Sequence, residues 1–224
     1  MKQFICVAAL LCGSALTAHA QTTAGKLLLG GSLGFSSTKY TPDVQKSFEQ
    51  RQFQFNIAPK IGYFLADNWA VGLQTGFNHS KQTNTDPYGA TPYTYDQKRN
   101  GYQVGPFVRY YQMLGEKAGF FGQLTALYSR AKGESSSTTD NTATYDEKSR
   151  SYSATLTPGF VFFPTDKLGL ELSLGNLGYF ATKDEVRDTQ TSGQRFNRSG
   201  KSSGFGADFT LGTLMLGASL YLGR

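Results

Sequence analysis

The chain offers almost no sulfur chemistry. Its two cysteines, Cys6 and Cys12, both fall within the first twelve residues, inside a segment that reads as a secretory leader. Lys2 supplies the positive start, Phe4 to Leu16 the apolar run, and Ala18-His19-Ala20 the small-x-small cleavage site before Gln21. A lipoprotein reading through Cys12 is poor, because the bulky Leu11 precedes it. With residues 1–20 removed, no cysteine is left, which excludes disulfides and thiolate metal sites. Histidine is nearly as scarce: beyond the leader there is His79 alone. One imidazole among scattered carboxylates gives no metal-ligand spacing, and no cofactor is expected. After Gln21 no apolar run approaches the roughly 20 residues of a transmembrane helix. A phosphate loop, a dinucleotide fingerprint and a nucleic-acid module are absent too, so no nucleic-acid partner is expected.

What the chain has is glycine, phenylalanine and alternation. The 26 glycines mark turns and closely packed backbone, and the 17 phenylalanines favour strands. A mean hydropathy of −0.36 looks soluble, but a β-barrel in a membrane alternates lipid-facing and inward residues, so window averages cancel. From Gln52 to Leu65, Phe53, Phe55, Ile57, Ile61 and Tyr63 share one face, against Gln52, Gln54, Asn56, Ala58, Lys60 and Gly62. A period of two is the signature of a strand. The same pattern starts again at Trp69, runs from Ser151 to Phe162, and recurs in Leu168, Leu170, Leu172 and Leu174. Weaker versions cover about Leu27–Tyr40, Tyr102–Gln112 and Gly119–Arg130. An eighth strand runs from Phe205 to Leu222, with a one-residue change of phase at Gly212-Thr213 that reads as a β-bulge.

The expected fold is therefore all-β: an eight-stranded antiparallel up-and-down transmembrane β-barrel over residues 21–224, preceded by a cleaved signal peptide over 1–20. Connections near 67, 116 and 166 are short, whereas 41–51, 82–100, 131–150 and 183–203 read as long polar loops. Short turns at one end and long loops at the other is the outer-membrane pattern, with termini periplasmic and long loops extracellular. The opposite face is small and polar, which suits the interior of eight strands, just wide enough for side chains to fill. The bulky face is left for lipid. Three copies of one phrase, starting at Pro59, Pro106 and Pro158, place an aromatic pair just before each short turn. These pairs predict an inner interfacial girdle of Tyr63, Phe64, Trp69, Tyr110, Tyr111, Phe162 and Phe163. The prolines are awkward in a closed sheet, since each leaves one ladder bond unmade; a bulge at each would absorb it.

The phrases Ile61-Gly62-Tyr63-Phe64-Leu65, Asp67-Asn68-Trp69-Ala70-Val71-Gly72 and Phe163-Pro164-Thr165-Asp166-Lys167-Leu168-Gly169-Leu170 resemble the "porin family" of outer-membrane β-barrel domain proteins. That family is similar in architecture to OmpX and the OmpA transmembrane domain. The resemblance covers nearly the whole chain beyond the leader and implies a fold, not an activity, because the family has no shared catalytic signature. It also implies outer-membrane lipid and the barrel-insertion machinery as partners. The ending Tyr221-Leu222-Gly223-Arg224 departs from a terminal aromatic.

Four charges fall on the inward face by parity: Lys60, Arg109, Glu171 and Asp208. Buried charges must pair or cost several kcal/mol, so a Lys60–Glu171–Arg109 cluster is expected to plug the lumen. Lys39, Arg51, Lys81, Arg99, Arg130, Arg150, Lys183 and Arg198 lie near the expected outer strand ends. Such a ring would neutralise lipopolysaccharide phosphates through charge-assisted hydrogen bonds, or simply be a solvated rim. The net charge of +6 fits either. The function expected is that of a non-enzymatic, monomeric structural barrel whose loops could meet an unknown extracellular partner. A narrow channel for water, ions or small solutes is the alternative. A lipid-modifying enzyme built on His79 comes third, because nothing in the sequence brings a nucleophile or an orienting carboxylate to it.

Overall fold

The computed structural model describes residues 20–42, 48–86, 93–137, 145–188, 197–210 and 214–223. The expected leader, as far as residue 19, and the slip expected at Gly212-Thr213 lie outside the described residues. Among the described residues a 3-10 turn, Ala20–Thr22, precedes ten strands. They are β1 (Leu27–Tyr40), β2 (Glu49–Ala66), β3 (Trp69–Asp86), β4 (Tyr93–Met113), β5 (Ala118–Ser137), β6 (Tyr145–Thr165), β7 (Leu168–Leu174), β8 (Asn176–Asp188), β9 (Asn197–Asp208) and β10 (Leu214–Leu222). β7 and β8 are one wall strand interrupted at Gly175, whose φ of 66° is the left-handed conformation glycine tolerates. Against β6 the register slips by one residue there, a β-bulge. β9 and β10 pair with β8 and β7 in turn, so ten segments make eight antiparallel wall strands. The β1–β10 ladder, Leu27–Gly31 against Ala218–Leu222, closes the barrel. Beyond Gly31, no ladder joins β1 to β10 or β9 among the described residues.

The alternation translates directly into facing. Leu33, Phe35, Ile57, Ile61, Leu73, Tyr102, Leu124, Leu156 and Phe205 are exposed on the outside, a contiguous apolar belt. Asp67-Asn68 makes a two-residue turn, with Asn68 at φ 66°, a position asparagine tolerates. At this end residues 22–24 tuck under the barrel: Asn68 N–H donates to the Thr22 carbonyl at 2.8 Å and Ala24 N–H to Asp67 Oδ1 at 2.9 Å.

Three expectations need correction. The strands run farther than the hydrophobic alternation: 93–100, 131–137, 145–150, 183–188 and 197–203 are strand, not loop. Both faces are polar there, so no period-two contrast in hydrophobicity marks them. A 21-residue strand such as β4 tilted by 35–45° rises about 50 Å, twice the apolar band of about 25 Å.

The inner girdle is only half a girdle. Tyr63, Trp69, Tyr110 and Phe162 face outward, but Phe64, Tyr111 and Phe163 are buried inside the barrel. The two members of an aromatic pair are consecutive, and consecutive strand residues point to opposite faces. One ring of each pair therefore faces lipid and its neighbour fills the lumen. The inward face near the short turns is accordingly bulky, not small and polar.

The prolines need no bulge at two of their three sites. Pro59 is paired on its β1 side, opposite Gly31, while the β2–β3 ladder skips Ala58 and Pro59 without changing register. Pro106 likewise pairs with Leu73 of β3, and the β4–β5 ladder skips it in register. Pro158 pairs with Gly122 of β5, and its other side meets the slip at Gly175. Each missing N–H thus coincides with a local gap in one ladder.

Candidate functional site: the lumen and the charged rim

β2, β4 and β7 carry Lys60, Arg109 and Glu171 inward at one level, and their side chains meet. Lys60 Nζ donates to Glu171 Oε2 at 2.7 Å, and Arg109 Nη1 donates to Glu171 Oε1 at 2.8 Å. Both the carboxylate and the guanidinium are less than a tenth exposed. Ser219 Oγ, on β10, donates a further short hydrogen bond to Glu171. Gln123 Oε1 accepts from Arg109 Nε at 2.9 Å and Nη2 at 2.6 Å, and its amide nitrogen donates to Thr125 Oγ1 at 2.8 Å. Arg109 also lies over the Phe121 ring, 4.1 Å from its centroid, a cation–π contact.

Beneath this layer, toward the short turns, is an apolar plug of Leu28, Phe64, Phe107, Tyr111, Phe121, Val161, Phe163 and Tyr221. Its rings interlock: Phe163 and Tyr221 meet edge-on at 4.9 Å, and Phe64 and Tyr111 lie 5.7 Å apart. Tyr111 joins the two layers, since its hydroxyl accepts from Arg109 Nη1 at 3.0 Å and lies 3.0 Å from Tyr221 Oη. Above the charges the lumen opens into a cavity of about 160 Å³ bounded by Gln74, Thr155, Thr157 and Ser173.

Asp208 is not part of the cluster. It ends β9, is exposed, and accepts from the Thr210 backbone N–H at 3.3 Å. Parity assigned its face, but the break between β9 and β10 removes it from the layer. Sequence reasoning missed Tyr111, Gln123, Ser219 and Tyr221 as partners. Inward parity alone could have nominated Tyr111 and Gln123, whereas the other two required the β1–β10 closure.

The expected cation ring is uneven. Lys39 and Arg51 both bond Glu49, Lys81 lies 3.5 Å from Asp96, and Lys183 lies 2.8 Å from Glu185. The hydrogen bonds from Lys39 and Arg51 hold the Glu49 carboxyl below its ordinary value. Arg99 shares the inward face of Arg109, pairs with Glu147 at 3.3 Å and lines an upper cavity, so it is not a rim residue. Arg130, Arg150 and Arg198 are exposed and have no acidic partner within 4 Å among the described residues. β5 and β6 continue well past Arg130 and Arg150, which therefore sit part-way up the wall, whereas Lys39, Arg51 and Arg198 lie close to the outer ends of β1, β2 and β9.

His79 lies 6.3 Å from the Phe53 ring, and its Nδ1 lies 2.7 Å from the Asn100 side-chain oxygen. No carboxylate orients it among the described residues, and these contain no His, Cys, Asp and Glu group able to hold a metal.

The family model for the "Outer membrane protein beta-barrel domain" matches residues 5–190, well over half of the chain. The chain belongs to this outer-membrane β-barrel family. Its localisation is accordingly the outer membrane, and the exposed apolar belt is the surface that meets lipid. No curated protein matches the sequence. Among solved structures, the outer membrane protein OprG from Pseudomonas aeruginosa is similar at 13% identity and a TM-score of 0.52, covering 92% of this chain and 99% of its own. A major outer membrane protein from Thermus thermophilus matches at 18% identity and a TM-score of 0.48, covering 89% and 100%. At such identities the first likeness speaks for the barrel fold alone.

Proposed function

We propose that this family member is a non-enzymatic, non-conducting structural barrel of the outer membrane. Its short turns and termini face the periplasm, and its long strands and loops project outward. Basic side chains on its outward face contact lipopolysaccharide. The observation that carries this is the two-layer closure of the lumen: a buried ion-pair cluster bonded through Tyr111 to a plug of aromatic rings. A water or ion path would have to break both layers, which speaks against the channel alternative. The amide partner of His79 argues against catalysis, because triad chemistry requires an orienting carboxylate and a nucleophile within reach. Planar-bilayer recording tests the proposal. The wild-type protein is expected to give no discrete steps, and Phe64→Ala combined with Tyr111→Ala and Glu171→Ala to give them. Wild-type steps that change size in Arg109→Gln would refute it.

A further inference from the structure

Four cations of the outward face stand side by side across four adjacent strands. In the antiparallel ladders Arg130 of β5 is directly opposite Arg150 of β6, Arg150 opposite Lys183 of β8, and Lys183 opposite Lys201 of β9. All four are exposed. Three inter-strand steps of about 4.8 Å make this row about 14 Å long. Directly opposed like charges destabilise a sheet, and here three such pairs follow one another. Among the described residues one carboxylate, Glu185, bonds one member, Lys183, at 2.8 Å. Arg130, Arg150 and Lys201 have no acidic partner within 4 Å among the described residues. The row is short of anions.

Its height on the wall identifies which anion it meets. One step toward the short turns, Tyr128 and Tyr152 lie opposite each other, ring centroids 5.1 Å apart, as aromatic residues do at a membrane interface. On β8 and β9 the same step is small, Ala181 opposite Ser203, which leaves room against the wall below Lys183 and Lys201. Farther down the outward face becomes apolar, with Leu124 opposite Leu156 and Leu156 opposite Leu177. One step above the row the charges become mixed, where Lys148 stands between Lys132 of β5 and Glu185 of β8. The row therefore lies at the level of lipid head groups, above the acyl chains and below the solvent-exposed strands.

We infer that Arg130, Arg150, Lys183 and Lys201 form a discrete site for the head group of an outer-leaflet glycolipid carrying more than one phosphate. This rests on the outer-membrane orientation proposed above. It replaces a ring-wide contact by one face of the barrel, because Lys39, Arg51 and Lys81 already have acidic partners. Arg side chains bind phosphate oxygens through charge-assisted, often bidentate hydrogen bonds, and two phosphates along a 14 Å row (about three strand spacings) meet two cations each.

The test uses the whole protein in nanodiscs, with bisphosphorylated lipid A as probe and dephosphorylated lipid A as control. Each basic side chain at an anionic membrane surface is worth roughly fivefold in affinity. The variant Arg130→Gln/Arg150→Gln/Lys183→Gln/Lys201→Gln should therefore lose about 600-fold for the bisphosphorylated probe, roughly fivefold for each of the four charges. Lys39→Gln/Arg51→Gln/Lys81→Gln/Arg198→Gln should lose under about threefold, less than a single such side chain is worth, because the first three have acidic partners and Arg198, opposite Val186, lies on the other face of β9 from Lys201. Heat-modifiable gel mobility verifies folding, and Arg150→Gln/Lys201→Gln serves if the fourfold variant does not fold. Equal losses in both fourfold variants would overturn the discrete row while sparing a ring-wide contact. No loss in either would overturn both. Retention of dephosphorylated lipid A, or displacement by millimolar inorganic phosphate, would overturn the glycolipid assignment.

Discussion

Glu171 is the residue on which the lumen depends, and replacing it by leucine exposes the reasoning most directly. Its carboxylate accepts from Lys60, Arg109 and Ser219 and is only 7% exposed. Glu171→Leu strands two cations in the interior. Arg109 keeps Gln123 and Tyr111, but Lys60 loses its side-chain partner. Breaking a buried ion pair by removing one partner costs about 3–5 kcal/mol. Lys60→Met is milder, because Glu171 retains Arg109 and Ser219; losing one hydrogen bond to a charged group costs roughly 1.5–3 kcal/mol. The triple variant Lys60→Met/Arg109→Met/Glu171→Leu should recover most of the loss, since replacing a buried charge cluster by apolar side chains is often neutral or stabilising. Urea titration of protein folded into phosphatidylcholine bilayers, followed by the fluorescence of the single tryptophan, Trp69, measures all three. The argument fails if Lys60→Met costs as much as Glu171→Leu, or if the triple variant is less stable than Glu171→Leu.

The aromatic pairs supply a second expectation. Phe64→Ala empties part of the buried plug and should cost about 3–5 kcal/mol, whereas Tyr63→Ala on the lipid face should cost markedly less; equal losses in the same titration would contradict the facing. Pro106→Ala should change stability by under about 1 kcal/mol, since the ladder gap beside it lies in an unshifted register and the new N–H can complete it. A loss well above that would mean the gap is required. Outside the spanning part of the wall, Lys183 holds the Glu185 carboxyl below its ordinary value, first through their hydrogen bond and then through its charge. The sign follows: this pairing favours the folded state above the ordinary glutamate range and is lost as pH falls through the lowered value. A side-chain NMR titration should find the Glu185 midpoint depressed and Lys183→Gln should raise it; no upward move would refute the pairing.

Much of the barrel was legible because a lipid-facing strand must alternate. Ile57, Ile61 and Tyr63 on one face, with Lys60 and Gly62 on the other, leave no choice of secondary structure or of facing. The same parity brought Lys60, Arg109 and Glu171 to one side of their strands, and their similar distances from the short turns brought them to one level. Parity also separates Phe64, Tyr111 and Phe163 from Tyr63, Tyr110 and Phe162, because consecutive strand residues cannot share a face, and so splits the expected girdle. The strand extensions from 131 to 137 and from 145 to 150 were illegible for a different reason. Once a strand leaves the bilayer both its faces meet water, and no hydrophobic contrast records the pairing.

Taken alone, the residues determined the all-β class, the strand count, the lipid-facing belt and the inward position of three of the four charges. These follow from local geometry, two residues per repeat. The tertiary structure decided what no local rule contains: which residues stand opposite one another. Register between strands separated by up to 111 positions joined Lys60 to Glu171, and register across β5, β6, β8 and β9 turned scattered basic residues into a single row. Closure through β1 and β10 then supplied Ser219 and Tyr221 to a lumen whose other walls could be read from the chain. Register depends on every ladder between two strands at once, so it becomes definite only when the barrel shuts.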